Sequence, residues 1–201
     1  MERVTVDTYN QMAKEYDEET ADFWERFPML ILQEFKKSLP NKGRVLDLGS
    51  GPGRDGLLLR EAGLEVVCLD ASKAMVGLTK EKGLKSVLAD FNEMPFSDKS
   101  FVGLWAYTSL IHIPKFELPQ VLKEAKRVLK VGGVLGLGLI EGDTEGYIYS
   151  SGISLPRYFA FYSQDEVTKI LKSTGFDDTF YFEEFKPKSR NYLNFLTRVA
   201  L

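Results

Sequence analysis

The sequence predicts an α/β fold: a seven-stranded, mostly parallel sheet with helices on both faces and a C-terminal antiparallel hairpin. Three observations carry this. Short apolar runs such as Val45–Leu48, Val66–Leu69 and Phe101–Tyr107 alternate with amphipathic stretches of helical length. The first of these runs breaks into Gly49-Ser50-Gly51-Pro52-Gly53, and a helix-like stretch, Leu57 to Ala62, follows it. The last two runs, 176–185 and 192–199, are joined by Lys186-Pro187-Lys188, a turn that closes a hairpin.

Taken in order, Thr8 to Glu19 reads as a helix, with Tyr9, Met12, Ala13 and Tyr16 at three- and four-residue spacing and Asp7 as its N-cap. A second helix is expected from Ala21 to Lys37. Its apolar face is Phe23, Trp24, Phe27, Leu30, Ile31 and Phe35, and Pro28 shifts or kinks its start. Pro40-Asn41-Lys42-Gly43 breaks the chain before the first strand. Gly63 ends the glycine-loop helix as a C-cap. The second strand ends at Asp70, Ser72 caps the next helix, and Gly83 closes that helix. Lys85 to Ala89 is a third strand, ending at Asp90, and Phe91 to Phe96 is a loop. Phe101 to Tyr107 is the fourth strand. Thr108 to Pro114 then sits at its carboxyl end, the side on which open parallel sheets bind ligands. Leu118, Val121, Leu122, Ala125, Val128 and Leu129 make one face of a helix, and Gly132-Gly133 leads into a fifth strand, Val134 to Ile140. Glu141 to Tyr162 shows no clean period. Rich in Tyr, Phe and one Arg157, it reads as a long loop forming a lid or substrate wall. A last helix starts at Ser163 or Gln164, runs through Val167, Ile170 and Leu171, and ends at Gly175.

At 201 residues and 44% hydrophobic content, one domain over 1–201 is expected. Residues 1–40 would form a helical cap within it, and 141–162 the lid. The formal net charge of −3 and the absence of a long basic run argue against a nucleic-acid partner, whose binding draws on Lys and Arg. Lys186, Lys188 and Arg190, the densest basic cluster, read as a solvated turn. The single Cys68 lies in an apolar strand and reads as a core residue. The N-terminus lacks the apolar core of a signal peptide, and no run approaches a membrane span, so a cytoplasmic protein is expected. With one His and one Cys, no metal site is expected. The chain reads as a monomer or homodimer.

The glycine loop is ambiguous by itself. Gly51-x-Gly53-x-x-Gly56 satisfies the dinucleotide fingerprint, and Asp70 follows where an acidic residue bonds a ribose hydroxyl. Asp47 argues the other way. A dinucleotide site has an apolar residue at this buried strand end, and a buried carboxylate needs donors. A nicotinamide oxidoreductase and a non-catalytic nucleotide-binding protein both stay open here.

Asp47-Leu48-Gly49-Ser50-Gly51-Pro52-Gly53 resembles the first motif of the class I S-adenosylmethionine-dependent methyltransferases. Asp70 is similar to their ribose-binding acid, Asp90 in Leu88-Ala89-Asp90-Phe91 to the acid near the adenine, and Leu129 to Leu135 to their turn into strand five. The likeness runs from about Thr8 to the C-terminus and is nearest to the small-molecule enzymes of the ubiquinone-biosynthesis type. It implies methyl transfer from S-adenosylmethionine to a small molecule, with S-adenosylhomocysteine as product and no metal. It implies cofactor contacts from Tyr16, Asp47, Gly49, Ser50, Gly51, Gly53, Asp70, Ala71, Met75, Asp90, Phe91 and Tyr107. His112, the one side chain with a reference pKa near neutrality, is the candidate base at the end of strand four, with Tyr107 beside it. Arg157, Tyr158 and Tyr162 are acceptor-side candidates. A base-flipping nucleic-acid enzyme of the amino-methylating type would carry Asn/Asp-Pro-Pro-Tyr after strand four, where this chain reads Ala106-Tyr107-Thr108-Ser109.

Overall fold

The computed structural model describes residues 2–26, 30–150, 153–176, 178–187 and 190–200. Phe27, the expected kink at Pro28, and Lys188 of the basic cluster and closing turn lie outside them. Four helices come first: α1 (Arg3–Gln11), α2 (Ala13–Glu19), α3 (Phe23–Arg26) and α4 (Leu30–Ser38). The alternating region follows as β1 (Arg44–Leu48), α5 (Arg54–Glu61), β2 (Glu65–Asp70), α6 (Lys73–Glu81), β3 (Lys85–Leu88), β4 (Phe101–Tyr107), α7 (Leu118–Val128) and β5 (Leu129–Ile140). The chain ends with β6 (Glu145–Ser150), β7 (Ile153–Ala160), α8 (Gln164–Ser173), β8 (Asp178–Phe185) and β9 (Tyr192–Arg198).

The main sheet has seven strands in the order β3-β2-β1-β4-β5-β9-β8. β1 to β5 pair in parallel, and β9 inserts antiparallel between β5 and β8. This is the Rossmann-like arrangement the sequence predicts. Both faces are buried, and the strand period of two sorts side chains between two cores. On β4, Leu104 and Ala106 join the core under α7 and α8, whereas Trp105 and Tyr107 join the one under α4 and α5. Gly136 and Gly138 on β5 make room for those rings. A Cβ at either position would lie 2.5 Å from the Trp105 or Tyr107 ring. The order reverses between β1 and β4, and a crevice opens at the carboxyl ends of strands flanking such a switch point.

Three sequence expectations change. The N-terminal helix begins at Arg3 rather than Thr8 and breaks at Met12, so Asp7 is inside it and not its cap. The reason is tertiary. Thr8 Oγ1 donates to the Pro156 carbonyl at 2.7 Å, and Thr5 Oγ1 accepts from the Tyr158 N–H at 2.8 Å. Polar anchors of this kind are invisible to apolar periodicity. Second, the described parts of the 141–162 loop hold a separate two-stranded sheet, β6 with β7, which packs on α1. Pro156 argues against a strand in sequence; here its carbonyl is used by α1, and the pairing shifts register between Ile148 and Ser150. Third, β5 starts at Leu129, running on directly from α7 rather than beginning at Val134. The N-caps at Ser72 and Ser163 are as expected, accepting from the N–H groups of Met75 and Glu166 at 3.2 Å.

Candidate functional site

At the switch point, β1 ends in buried Asp47 and the chain turns through Gly49 and Gly51, with φ of 70° and 52°. Only glycine takes these angles without strain. The N–H groups of Gly49 and Ser50 bond the Leu69 carbonyl at 2.8 and 3.1 Å, which folds the loop onto the end of β2. There Asp70 fixes it. Its Oδ2 accepts from the Gly51 N–H and its Oδ1 from the Ser72 N–H, both at 2.8 Å. Above Gly51 the nearest atom to an added Cβ would be Tyr16 Cε1 at 3.9 Å, so the loop's upper surface is open to the cleft. Met75 and Phe91, both buried, line the cleft on the α6 side.

Asp55 closes the opposite side. The indole N–H of Trp24 donates to Oδ1 at 2.7 Å, that of Trp105 to Oδ2 at 2.8 Å, and Arg54 Nε to Oδ1 at 2.8 Å. One carboxylate thus joins α3, α5 and β4. The Arg54 guanidinium lies 4.3 Å over the Phe23 ring.

Among the described residues the lining therefore holds three buried carboxylates, Asp47, Asp55 and Asp70, against one guanidinium, that of Arg54. Burial pushes the Asp47 carboxyl well above the usual carboxylate range. Asp55 raises it further, and Arg54 pulls it back. Burial pushes Asp70 up to about 6 against the lowering effect of the Ser72, Gly51 and Ala71 N–H groups. Among the described residues the cleft floor thus has more carboxyl groups than guanidinium groups.

At the β4 end, Ser109 Oγ donates to the Leu48 carbonyl at 2.6 Å, tying the two strands at the crevice. Thr108 beside it has φ of 56°, an unusual conformation for a β-branched residue. The roof comes from α1, α2 and β7. Tyr9 lies edge-on to both Tyr16 and His112, with centroids at 5.2 and 5.4 Å. Its hydroxyl is 2.8 Å from His112 Nε2 and accepts from Arg157 Nη1 at 3.1 Å. His112 Nδ1 is 2.6 Å from the Tyr158 carbonyl. Burial, followed by the charges of Arg157 and Arg190, holds the imidazole down at about 3.

The methyltransferase-domain family matches residues 45–133, from β1 into β5. An uncharacterized protein of Methanocaldococcus jannaschii is 30% identical over 177 residues, which is 85% of this chain and 82% of that one. The ubiquinone/menaquinone biosynthesis C-methyltransferase of Rickettsia prowazekii is 27% identical over 191 residues, 74% of each. The chain belongs to the class I S-adenosylmethionine-dependent methyltransferases. Other curated methyltransferases match 44–48% of this chain, which spans just 25–38% of their own length. In fold, this methyltransferase is similar to the 1,6-didemethyltoxoflavin-N1-methyltransferase of Burkholderia thailandensis, solved with 1,6-didemethyltoxoflavin and S-adenosylhomocysteine bound. The TM-score is 0.72 at 19% identity, over 98% of this chain and 88% of the other. Family membership removes the dinucleotide reading of the glycine loop.

Of the residues singled out in sequence, Tyr16, Asp47, Gly49, Ser50, Gly51, Asp70, Met75, Phe91, Tyr107 and His112 line one cleft of the methyltransferase. The others do not line it. Gly53 is the N-cap of α5, in the left-handed conformation, and packs against Thr79 and Leu84. Ala71 follows Asp70 at the turn into α6. Asp90 is exposed and bonds the N–H and side-chain amide of Asn92. Tyr158 turns its ring to Tyr147, away from the cleft. Tyr162 is fully buried in the core, with Lys115 over its ring. Arg157 is buried behind Tyr9.

The lining also contains Val6, Tyr9, Pro52, Arg54, Asp55, Ser72, Thr108 and Ser109, none of them a candidate site residue in the sequence, although the sequence places Thr108 and Ser109 on the ligand-binding side of the sheet. The adjacent Arg54-Asp55 pair inside the glycine loop was a usable signal. Tyr9 offered none, since its partners lie 103 and 148 residues away. Among the described residues no group of three His, Cys, Asp or Glu could hold a metal ion, and no helix is long and apolar enough to cross a membrane.

Proposed function

We propose that this methyltransferase moves a methyl group from S-adenosylmethionine to a small-molecule acceptor by in-line displacement. The observation that carries the reading is the charge of the cleft floor: Asp47, Asp55 and Asp70 against Arg54. S-adenosylmethionine bears a sulfonium, an ammonium and a carboxylate, a net positive charge that such a floor attracts. A dinucleotide's pyrophosphate would be repelled by it.

The residues fit the group part by part. Asp70, already held by two backbone N–H groups, keeps lone pairs for the ribose hydroxyls. Met75 and Phe91 would flank the adenine, with Asp90 at the rim. Asp47 would face the cationic end of the methionine moiety, and Arg54 its carboxylate. Bound there, S-adenosylmethionine supplies an electrophilic methyl carbon. Tyr9, Tyr16 and Tyr107 close the space around it, orienting the acceptor and excluding water. The small-molecule assignment rests on this roof, which α1 and β7 latch over the floor through Thr5 and Thr8.

Calorimetric titration with S-adenosylmethionine, S-adenosylhomocysteine and NAD tests the reading. Micromolar binding of the first two with none of the third is expected. Binding of NAD alone would overturn it.

A further inference from the structure

His112, the candidate base, has no ring nitrogen left for an acceptor. Its Nδ1 lies 2.6 Å from the Tyr158 carbonyl, which can only accept, so Nδ1 carries the proton. Nε2 is then an acceptor, and the Tyr9 hydroxyl 2.8 Å away donates to it. Arg157 Nη1 donates to the same phenol oxygen at 3.1 Å. A phenol oxygen has one donor and two acceptor positions. Two of the three are used, and Tyr9 lines the cleft, so the remaining lone pair is the one that can face a ligand. Three elements far apart in sequence converge on this oxygen: α1, the β4 end and β7.

We propose, on the methyltransferase reading above, that Tyr9 takes the acceptor's proton, that His112 and Arg157 are positioning residues acting through it, and that the acceptor is a neutral phenol or enol. The steps balance. The acceptor O–H bond breaks and its proton passes to Tyr9 Oη, while Tyr9's own proton passes to His112 Nε2. The new O–CH₃ bond forms as the S–CH₃ bond of S-adenosylmethionine breaks, its electrons remaining on sulfur. The positive charge of the sulfonium passes through the imidazolium, whose Nδ1–H is seated on the Tyr158 carbonyl. Burial and the charges of Arg157 and Arg190 make that imidazolium a strong acid, so it holds the proton only transiently and sheds it to solvent. At the roof, Arg157 biases the acceptor class. A guanidinium hydrogen-bonded to the phenol favours a group that becomes negative as it reacts, where the more distant Asp70 acts on Tyr9 in the opposite sense. Among the described residues, the charged or titratable neighbours of the imidazole are Arg157, Arg190 and Tyr9, with no carboxylate acting on it, whereas Tyr9 itself is acted on by Tyr16, Arg157 and Asp70.

The chain has a single histidine, so nitrogen-15 NMR of uniformly labelled protein reports on His112 alone and needs no acceptor. The expected spectrum is the Nδ1–H tautomer, unprotonated through pH 5, with the Nε2 signal displaced in Tyr9→Phe and the Nδ1 signal kept. An Nε2–H tautomer, ordinary titration near pH 6.5, or an Nε2 signal indifferent to Tyr9→Phe would overturn the relay. The second arm screens phenols, enols and primary amines for methylation, following S-adenosylhomocysteine release. Turnover of hydroxyl acceptors is expected, with kcat in Tyr9→Phe down about a hundredfold and KM within twofold. Turnover confined to amines, silence across the panel, or full kcat in Tyr9→Phe would overturn the assignment. Loss of S-adenosylmethionine binding by the unmodified protein would count instead against the methyltransferase reading.

Discussion

On the floor of the cleft, Asp70 grips Gly51 and Ser72 at sequence separations of 19 and 2, and every recognition group comes from one unbroken stretch of chain. In the roof, Tyr9 meets His112 across 103 residues and Arg157 across 148. The floor presents backbone N–H groups and buried carboxylates held by local contacts. The roof presents a phenol and an imidazole backed by a guanidinium, and it depends on three elements far apart in sequence arriving together.

Asp55 ties the floor to α3 and β4, with no part of the roof among its described partners, so removing it should have the largest effect and fall on the floor side. Asp55→Ala strands two buried indole N–H groups and the Arg54 guanidinium. Breaking a buried pair from one side costs about 4 kcal/mol, which lowers Tm by roughly 10 °C in a chain of this size. Asp55→Asn keeps the shape and one acceptor oxygen and should lose about half as much. Equal melting of all three proteins would show that α3 is held by something other than this carboxylate.

Asp70 tests the floor alone. Asp70→Ala should weaken S-adenosylmethionine binding about a hundredfold, the loss of roughly 3 kcal/mol in charged hydrogen bonds, with Tm lowered less than in Asp55→Ala, since two backbone N–H groups lose their acceptor. Ionising this carboxyl costs the empty protein stability relative to its protonated form. Its folded pKa is raised, from 3.8 to about 6. The native state therefore binds the proton more tightly than the unfolded chain, and this group's contribution falls as pH rises from 4 to 6 and is flat above. The full cost at neutral pH is about 3 kcal/mol. On the proposed binding mode the ribose hydroxyls donate to the ionised form. Affinity should thus be constant above pH 7 and fall about tenfold by pH 5, the same direction in which Asp47 acts. His112, neutral throughout that window, should add nothing. Calorimetry at the two pH values in both proteins checks this. A pH slope that survives in Asp70→Ala would move its origin to Asp47.

The same division explains what could be read from the sequence. The seven strands and their glycine loop follow from runs such as Val45–Leu48, whose period and punctuation are local. The floor residues Asp47, Gly49, Gly51 and Asp70 sit at strand ends and in the glycine turn, places that local pattern marks. Nothing local marks Tyr9. On α1 it looks like one more residue of an apolar stripe, and the threonines that orient the helix are polar. The hairpin of β6 and β7 escaped because Pro156 interrupts its alternation and because it packs on α1, not on the main sheet. Tyr162 and Tyr158 were placed by composition, as aromatics in a candidate lid, and composition does not say which way a ring points.

The smallest effect expected separates floor and β4 end by backbone strain. At the floor the left-handed positions are glycines, Gly49 and Gly51, and no strain is stored. At the β4 end the left-handed position is Thr108, with φ of 56°. A β-branched residue there costs about 1–2 kcal/mol, and it is held by the Thr108 N–H bond to Gly138 and by Ser109 on Leu48. Thr108→Gly relieves the strain but gives the unfolded chain more freedom, worth about 0.5–1 kcal/mol. The net should be a gain of about 0.5 kcal/mol, a rise of one or two degrees in Tm. Thr108 also lines the cleft, so turnover should fall while stability rises. A Tm that drops would mean that the contacts of the Thr108 side chain outweigh its backbone strain, and the β4 end would then resemble the floor in being held without cost.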